Sequence, residues 1–340
     1  MSDLLDLYLS LVHLVLRAVD HAVEGLGLGG GYLDRFVDWL AADADVAIAA
    51  VIAALVAAAW SGLAGAAVSW LDLRIRARLE GRVGPSYRGL GGVMQGWADW
   101  AKLMLRRPRW RPSAAGAALS GALVIASLVL IPVGGMMRVI DPAWGMVAAT
   151  AMLAAAPLPL VVAEPGGEGY HRWRSALGSG LLLALSVGAA LMITGTASAD
   201  ALVSFQRDNL WFAPLAPVAF VLFLYALWLG AGRLAQDRAD ARRAGGGDAM
   251  ALARYSMAGR QFALALLGAV VFLGGWAGPI AEGCWWTFLK AAVLIAVASL
   301  LSATYPMPSS ADSARTVRVR WLPLAAVNLL VIAIVLEVMA

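Results

Sequence analysis

Long apolar runs, broken by short clusters of charge, set the pattern of this chain. No Asp, Glu, Lys or Arg occurs in 46–71, 112–137, 176–196 or 291–310. Each run supplies the roughly 20 helical residues needed to cross a hydrocarbon layer about 30 Å thick. Strands of a membrane barrel would alternate apolar and polar positions, and these runs do not. Read along the whole chain, the pattern predicts eight spanning helices, near 46–71, 113–132, 143–163, 175–196, 212–232, 258–276, 284–302 and 320–339. The predicted fold class is all-α, a polytopic transmembrane helical bundle.

Two further helices are predicted to lie along the membrane rather than across it. Residues 3–24 are leucine-rich but interrupted by Asp6, His13, Arg17, Asp20 and His21. Their longest early charge-free stretch, 7–12, is too short to span, so an amphipathic helix on the outer surface is expected. The glycines of 26–31 then supply a flexible break. Residues 1–45 are therefore read as an N-terminal extracytoplasmic amphipathic segment, and 46–340 as the transmembrane domain. Asp3 and Asp6 stand where a signal peptide carries cations, so no cleaved signal is predicted. In the first loop, 93–105 reads as an amphipathic interfacial helix. Gln95, Asp99, Lys102 and Arg106 form its polar stripe, and Val93, Trp97, Trp100, Ala101 and Met104 the opposite one.

Composition agrees with the pattern. Hydrophobic residues make up 61% and charged residues only 14%, against about a quarter charged in soluble domains, which excludes a soluble enzyme. A single cysteine, Cys284, excludes an internal disulfide. The net charge of +4 changes meaning once the charges are placed. Of 26 Lys and Arg, 21 fall in the loops after spans one, three, five and seven or their flanks; Arg17, Arg35, Arg138, Arg207 and Lys290 fall on the other side. The positive-inside rule puts the richer side in the cytoplasm and both termini outside, in a multi-pass inner-membrane protein. The basic charge thus reports topology, and no nucleic-acid partner is expected. His13, His21 and His171 are scattered over both faces, so no metal site is predicted. The glycine clusters lack the Gly-Lys-Ser/Thr context of a phosphate loop. Trp70, Trp97, Trp110, Trp211, Trp285 and Trp321 lie near span ends, as an aromatic belt does.

The segment richest in chemistry is the first loop, 72–111. If the first span continues as a helix, Arg74, Arg78 and Arg82 share one face at i, i+4 and i+8. Gly84-Pro85 and Gly89, Gly91 and Gly92 then break it with turn residues. Taken alone, this is a positive-inside anchor followed by an interfacial helix. Lys290 is a lone cation near the start of an apolar span, either an intramembrane charge or one that snorkels to the interface.

These residues also carry a resemblance. Gly84-Pro85 followed by Gln95, Asp99 and Lys102, with Arg74 and Arg82 upstream, resembles the first cytoplasmic loop of the H-type membrane subunit (subunit 1) of respiratory complex I, a family related to subunits of membrane-bound hydrogenases. Leu273, Gly274, Gly275, Trp276, Gly278 and Pro279, followed by Trp286 and Lys290, are similar to a second motif. The ending Trp321-Leu322-Pro323-Leu324 with Asn328-Leu329-Leu330 is similar to a third. The resemblance covers 46–340 and fits eight spans. It implies a subunit without a redox centre or catalytic residue of its own, acting within an NADH:quinone oxidoreductase-like translocase. Such a subunit joins soluble iron–sulfur electron-transfer subunits to antiporter-like membrane proteins in the bilayer. It implies no cofactor bound by this chain alone, with quinone held at a shared interface. By the same resemblance, Asp72, Arg74, Arg82, Gly84, Pro85, Gln95, Asp99, Lys102 and Tyr255 belong to the quinone chamber and docking surface, and Lys290 to intramembrane coupling.

The chain also departs from the family. Asp72 stands where the family has Glu, and Ser86 where it has Asn. The family's acidic stretch after the fifth span is replaced by a segment holding Arg233, Arg238, Arg242 and Arg243 against Asp237, Asp240 and Asp248. The segment 305–310 lacks the family's arginines. These departures suit two alternatives: a membrane-anchor or coupling subunit of a membrane-bound hydrogenase or ferredoxin-linked complex with no quinone, or a purely structural anchor. A transporter would require paired intramembrane charges or broken helices at the midplane, and neither is evident. Glu164 and Glu168, beside His171, Arg172 and Arg174, read as an exposed ion cluster.

Overall fold

The computed structural model describes residues 44–86, 89–105, 112–134, 143–162, 167–244, 247–278 and 282–339. The expected amphipathic helix at 3–24 and the position of Arg106 lie outside them. The chain divides into two compact units, 1–56 and 57–340. Among the described residues the regular structure is helical: α1 Ala44–Leu79, α2 Gln95–Met104, α3 Pro112–Leu130, α4 Gly145–Ala155, α5 Leu158–Val162, α6 Gly167–Thr194, α7 Ala199–Asp208, α8 Pro217–Ala244, α9 Asp248–Leu273, α10 Cys284–Thr304, α11 Ser310–Thr316 and α12 Leu322–Met339. Leu55–Leu79, Gly169–Thr194, Ala249–Leu273, Cys284–Thr304 and Ser310–Val338 are long and apolar enough to cross a membrane. Shorter apolar helices at Ala114–Leu130, Gly145–Val161 and Pro217–Ala231 occupy the other three predicted spans. The fold is a polytopic helical bundle.

Several boundaries differ from the sequence reading, each for a local reason. The third span breaks between α4 and α5, where Pro157 and Pro159 lack the N–H that would continue the ladder. The fifth starts at Pro217 after a short turn, Phe212–Leu215, and extends to Ala244. The sixth starts at Asp248 rather than 258, which takes Tyr255 and Ser256 out of the loop and into α9. The arginines that argued for a loop are accommodated within the bundle; Arg260 Nε donates to the Leu153 carbonyl at 2.8 Å. α1 stops at Leu79, so Arg82 does not continue the face of Arg74 and Arg78. Gly81 takes φ +71°. The Gly81 N–H bonds to the Arg78 carbonyl (3.2 Å) and the Arg82 N–H to the Ala77 carbonyl (2.6 Å), a Schellman ending that satisfies otherwise orphaned carbonyls.

α9 is the central helix, packed against α2, α3, α8 and α10. Of its apolar window 83% is buried, against 6% for the last span. A helix apolar all round belongs in the core or in lipid, and these two occupy the opposite extremes. In lipid, helices associate by close backbone approach and hydrogen bonds more than by hydrophobic burial, and small residues mark the crossings here. A Cβ on Gly268 would lie 2.4 Å from the Phe223 ring, and one on Gly116 2.3 Å from the Pro159 carbonyl oxygen. Ser120 and Ser256 hydrogen-bond across α3 and α9. At the loop end of the bundle, Asp72 is 1% exposed and pairs with Arg76 at 3.1 Å. Arg76 also reaches the Ser302 carbonyl (3.3 Å) and hydroxyl (2.5 Å), fastening α1 to the end of α10.

Two outcomes follow for the detergent-solubilised chain. Gly116→Ala forces its methyl into backbone and should cost about 1–3 kcal/mol of overpacking. Gly121→Ala, on the same helix with nothing within 4 Å, should be neutral or stabilising by up to about 1 kcal/mol; thermal unfolding of the two variants compares them. Asp72→Ala leaves Arg76 without its buried carboxylate, so a loss of about 3 kcal/mol is expected, whereas an unchanged melting midpoint would remove the pair from the fold's support.

Candidate functional site

One face of α1 is built from small residues. Ala58, Gly62, Gly65 and Ser69 recur at i, i+4, i+7 and i+11, so they lie above one another. Because these side chains fill little space, a cavity of about 780 Å³ opens beside them. Trp70 and Leu73 extend its α1 wall, and Pro85 and Gly92 close one end. α2 contributes Gln95, Gly96, Trp97, Asp99, Trp100, Lys102 and Leu103, and α9 contributes Leu252, Arg254, Tyr255 and Ala258.

Local contacts hold these walls in place. Gly96 lets α2 cross α1 closely, since a Cβ there would lie 3.1 Å from Ala66 Cα. Trp97 Nε1 donates to the Gly62 carbonyl (3.1 Å) and Trp70 Nε1 to that of Gly91 (2.9 Å). Gly92, at φ +93°, brings the loop so close to Pro85 that a Cβ would lie 2.4 Å from the proline oxygen. Across the cavity, the Tyr255 hydroxyl donates to the Ala58 carbonyl (2.5 Å) and hydrogen-bonds with Ser61. Trp100 lies 6.0 Å from the Tyr255 ring and 6.2 Å from Trp97, completing an aromatic wall. Asp99, Lys102 and Arg254 add two cations and one anion. An apolar, aromatic cavity with a few convergent polar groups suits a flat, amphiphilic guest. Among the described residues no group of three or more His, Cys, Asp or Glu is placed to hold a metal ion.

Pro85, Gln95, Asp99, Lys102 and Tyr255, singled out from the sequence, therefore meet at one cavity. Gln95, Asp99 and Lys102 of the predicted polar stripe line the cavity together with Trp97 and Trp100 of the opposite stripe, while Asp99 and Lys102 remain exposed. The other candidates do not line it. Gly84, at φ +72°, folds the loop back on α1, where its Cβ would lie 3.1 Å from that of Ala77. The Arg74 guanidinium stacks over Trp70 at 5.0 Å. Arg82 is exposed beside Glu80 at 3.5 Å, and Asp72 serves the helix junction described above. Sequence reasoning missed Ser61, Gly62, Gly65, Ser69 and Arg254. The only signal for Gly62, Gly65 and Ser69 is the small-residue repeat, which an apolar span conceals.

Lys290 lies at the opposite end of α9 from Tyr255. Twenty residues separate Tyr255 from Gly275, about 30 Å along a helix. Lys290 is 8% exposed, and its Nζ donates to the carbonyls of Gly275 (2.9 Å) and Ala277 (2.7 Å). It also sits 5.0 Å from the centre of the Trp211 ring. Gly274 and Gly275 take φ +75° and +47° to turn the chain after α9, which frees the carbonyls that the lysine meets. The second motif thus builds one compact junction: a glycine turn capped by a cation from the next helix.

Comparison with known proteins gives the family. The family model described as NADH dehydrogenase matches residues 51–168 and 174–333. An NADH-quinone oxidoreductase H subunit of Rhodopseudomonas palustris (strain HaA2) is 30% identical over 315 residues, spanning 85% of this chain and 96% of that one. An H subunit of the same enzyme from Cereibacter sphaeroides (strain ATCC 17029 / ATH 2.4.9) is 28% identical, spanning 85% and 97%. The H subunit of Aquifex aeolicus (strain VF5) is 28% identical, spanning 80% and 91%. With its helical scaffold and most of its length matched, the chain belongs to the NADH dehydrogenase family, as a divergent H-type membrane subunit.

Proposed function

We propose that this chain is the non-redox membrane subunit of a complex I-type NADH–quinone oxidoreductase, and that its cavity forms part of the quinone chamber. The observation that carries the reading is the cavity itself, which joins the first-loop residues Gln95, Asp99 and Lys102 to Tyr255 on the central helix. A quinone headgroup is a flat ring with two carbonyl acceptors on an apolar tail. The Trp97, Trp100 and Tyr255 rings offer it stacking surface, while Lys102 and Arg254 offer donors. Arg82, exposed at the mouth of the loop, belongs to the docking surface for soluble iron–sulfur subunits. Antiporter-like membrane subunits are the partners within the bilayer. The loop end of the bundle faces the cytoplasm, and both termini the outside, in the inner membrane. The segment 1–45 is a separate extracytoplasmic piece.

A second reading is a coupling subunit of a ferredoxin-linked or hydrogenase complex without quinone. It is favoured by the arginines at 233, 238, 242 and 243. Mild-detergent purification from the native membrane, with mass spectrometry of co-purifying subunits, separates the two. Flavin- and iron–sulfur-bearing dehydrogenase subunits support the first, and a nickel–iron catalytic subunit supports the second.

The cavity makes a kinetic prediction. A side chain on Gly62 projects toward the Tyr255 and Trp97 rings, 3.2 and 3.4 Å from its Cβ. Gly62→Leu should therefore raise the quinone KM about tenfold, the equivalent of about 1.4 kcal/mol. Electron transfer to a water-soluble acceptor should stay unchanged. Arg82→Ala and Asp99→Ala should impair quinone reduction or assembly while membrane insertion persists, and wild-type turnover in both would sink their assigned roles. Lys290 is the proposed intramembrane charge of the coupling path. Lys290→Met should lower ion translocation per electron pair more than it lowers quinone reduction, measured together in proteoliposomes.

A further inference from the structure

A second feature, independent of the quinone cavity, stands at the loop end of the last helix. α11 passes into α12 through a π-helical turn, Val317–Trp321. Arg315, Arg318 and Arg320 on this segment are all exposed. Among the described residues none of the three has a carboxylate partner. The acid nearest in sequence, Asp312, is engaged at the N-cap of α11, where it accepts from the Ser309 hydroxyl at 2.7 Å. α6 runs beside this segment: a Cβ on Gly178 would lie 3.1 Å from Val317 Cγ1. One turn before Gly178 it carries Arg174, which stacks over exposed Tyr170 at 5.3 Å, and before that Arg172. The segments 164–174 and 310–321 hold five arginines against Glu164, Glu168 and Asp312, a formal surplus of two positive charges.

Depth identifies the occupant. The 18 residues of α12 cover about 27 Å, close to the hydrocarbon thickness of about 30 Å. The arginines immediately before it therefore stand at headgroup level. Below them the exposed apolar surface of α12 includes Leu324, Val327, Leu330, Val331, Ile334 and Val338. A cationic surplus above an unpartnered apolar surface is complementary to a molecule with an anionic head and long apolar tails. Guanidinium forks match phosphate oxygens in bidentate geometry.

We propose that Arg315, Arg318 and Arg320, with Arg174 on α6, form a binding site for the phosphate headgroup of an anionic phospholipid whose acyl chains lie along α12. A neutral lipid lacks the net charge the site selects, and an acidic soluble protein leaves the apolar surface uncovered.

The test is native mass spectrometry of the full chain, purified in mild detergent and exchanged with phosphatidylglycerol or phosphatidylcholine. The wild-type chain is expected to retain phosphatidylglycerol selectively. The triple variant Arg315→Gln, Arg318→Gln, Arg320→Gln should lose that preference by about a hundredfold, from roughly one charge contribution per arginine. Its thermal midpoint in neutral detergent should not change. Arg207→Gln, at the other end of the bundle and paired with Glu282 at 2.9 Å, should retain lipid as the wild type does. Should the glutamine variant fold poorly, the corresponding triple lysine variant keeps the charge without the fork and should show intermediate retention. Equal retention of both lipids by the wild type would overturn the proposal. So would full phosphatidylglycerol retention in the triple glutamine or triple lysine variant. Loss of an acidic soluble subunit from the native complex, with lipid retention intact, would also overturn it and reassign the patch to protein docking.

Discussion

The close approach of α1 to α9 is the constraint on which the rest of the structure depends. Apolar surface gains little by leaving lipid for another helix, so contact must come from backbones that can meet and polar groups that can pair. A Cβ on Gly65 would lie 3.2 Å from that of Ala258, and one on Gly259 3.4 Å from that of Ser61. The Tyr255 hydroxyl then bonds to Ala58 and Ser61 on α1. Larger side chains at these positions would separate the helices and remove the tyrosine's partners.

The cavity is a consequence of the same choice. The small residues that permit the crossing continue along α1 beyond it, where no helix fills the space they leave. α2 bridges that space instead, held by Gly96 against Ala66 and by the Trp97 bond to Gly62. Residues from both the polar and the aromatic side of α2 thereby border the chamber. Packing and chemistry use the same residues here, so the glycines are as much a part of the site as Asp99 or Lys102.

The opposite end of α9 solves a different problem. A helix end buried among other helices leaves carbonyls without partners, and each unsatisfied buried group is costly. The Gly274–Gly275 turn closes one hydrogen bond to Ala269 at 2.8 Å. Lys290 supplies two more donors from α10. Gln206 adds a further link, donating to Val270 at 3.0 Å while accepting from the Phe212 N–H at 3.3 Å. The junction is thus closed by polar groups from three helices.

Much of this was legible in the chain itself. Charge-free runs determined the all-helical class and the spans, and the pattern of 93–105 anticipated a helix in the first loop, because length and polarity alone decide whether a segment can enter lipid. The loop motif also identified Gln95, Asp99 and Lys102 as a set. What only the tertiary structure decided was which charges the bundle could accommodate. Arg254 and Arg260 looked like the edge of a loop, yet α9 continues through both because other helices surround them. Asp72 appeared as one of the chamber residues and instead fastens α1 to α10 through Arg76. Lys290, read from the sequence as a snorkelling or an intramembrane cation, meets the carbonyls of Gly275 and Ala277, which no sequence pattern could reveal. One-dimensional pattern registers the cost of placing a group in lipid. The partners that offset that cost come from residues distant in sequence, and folding alone brings them together.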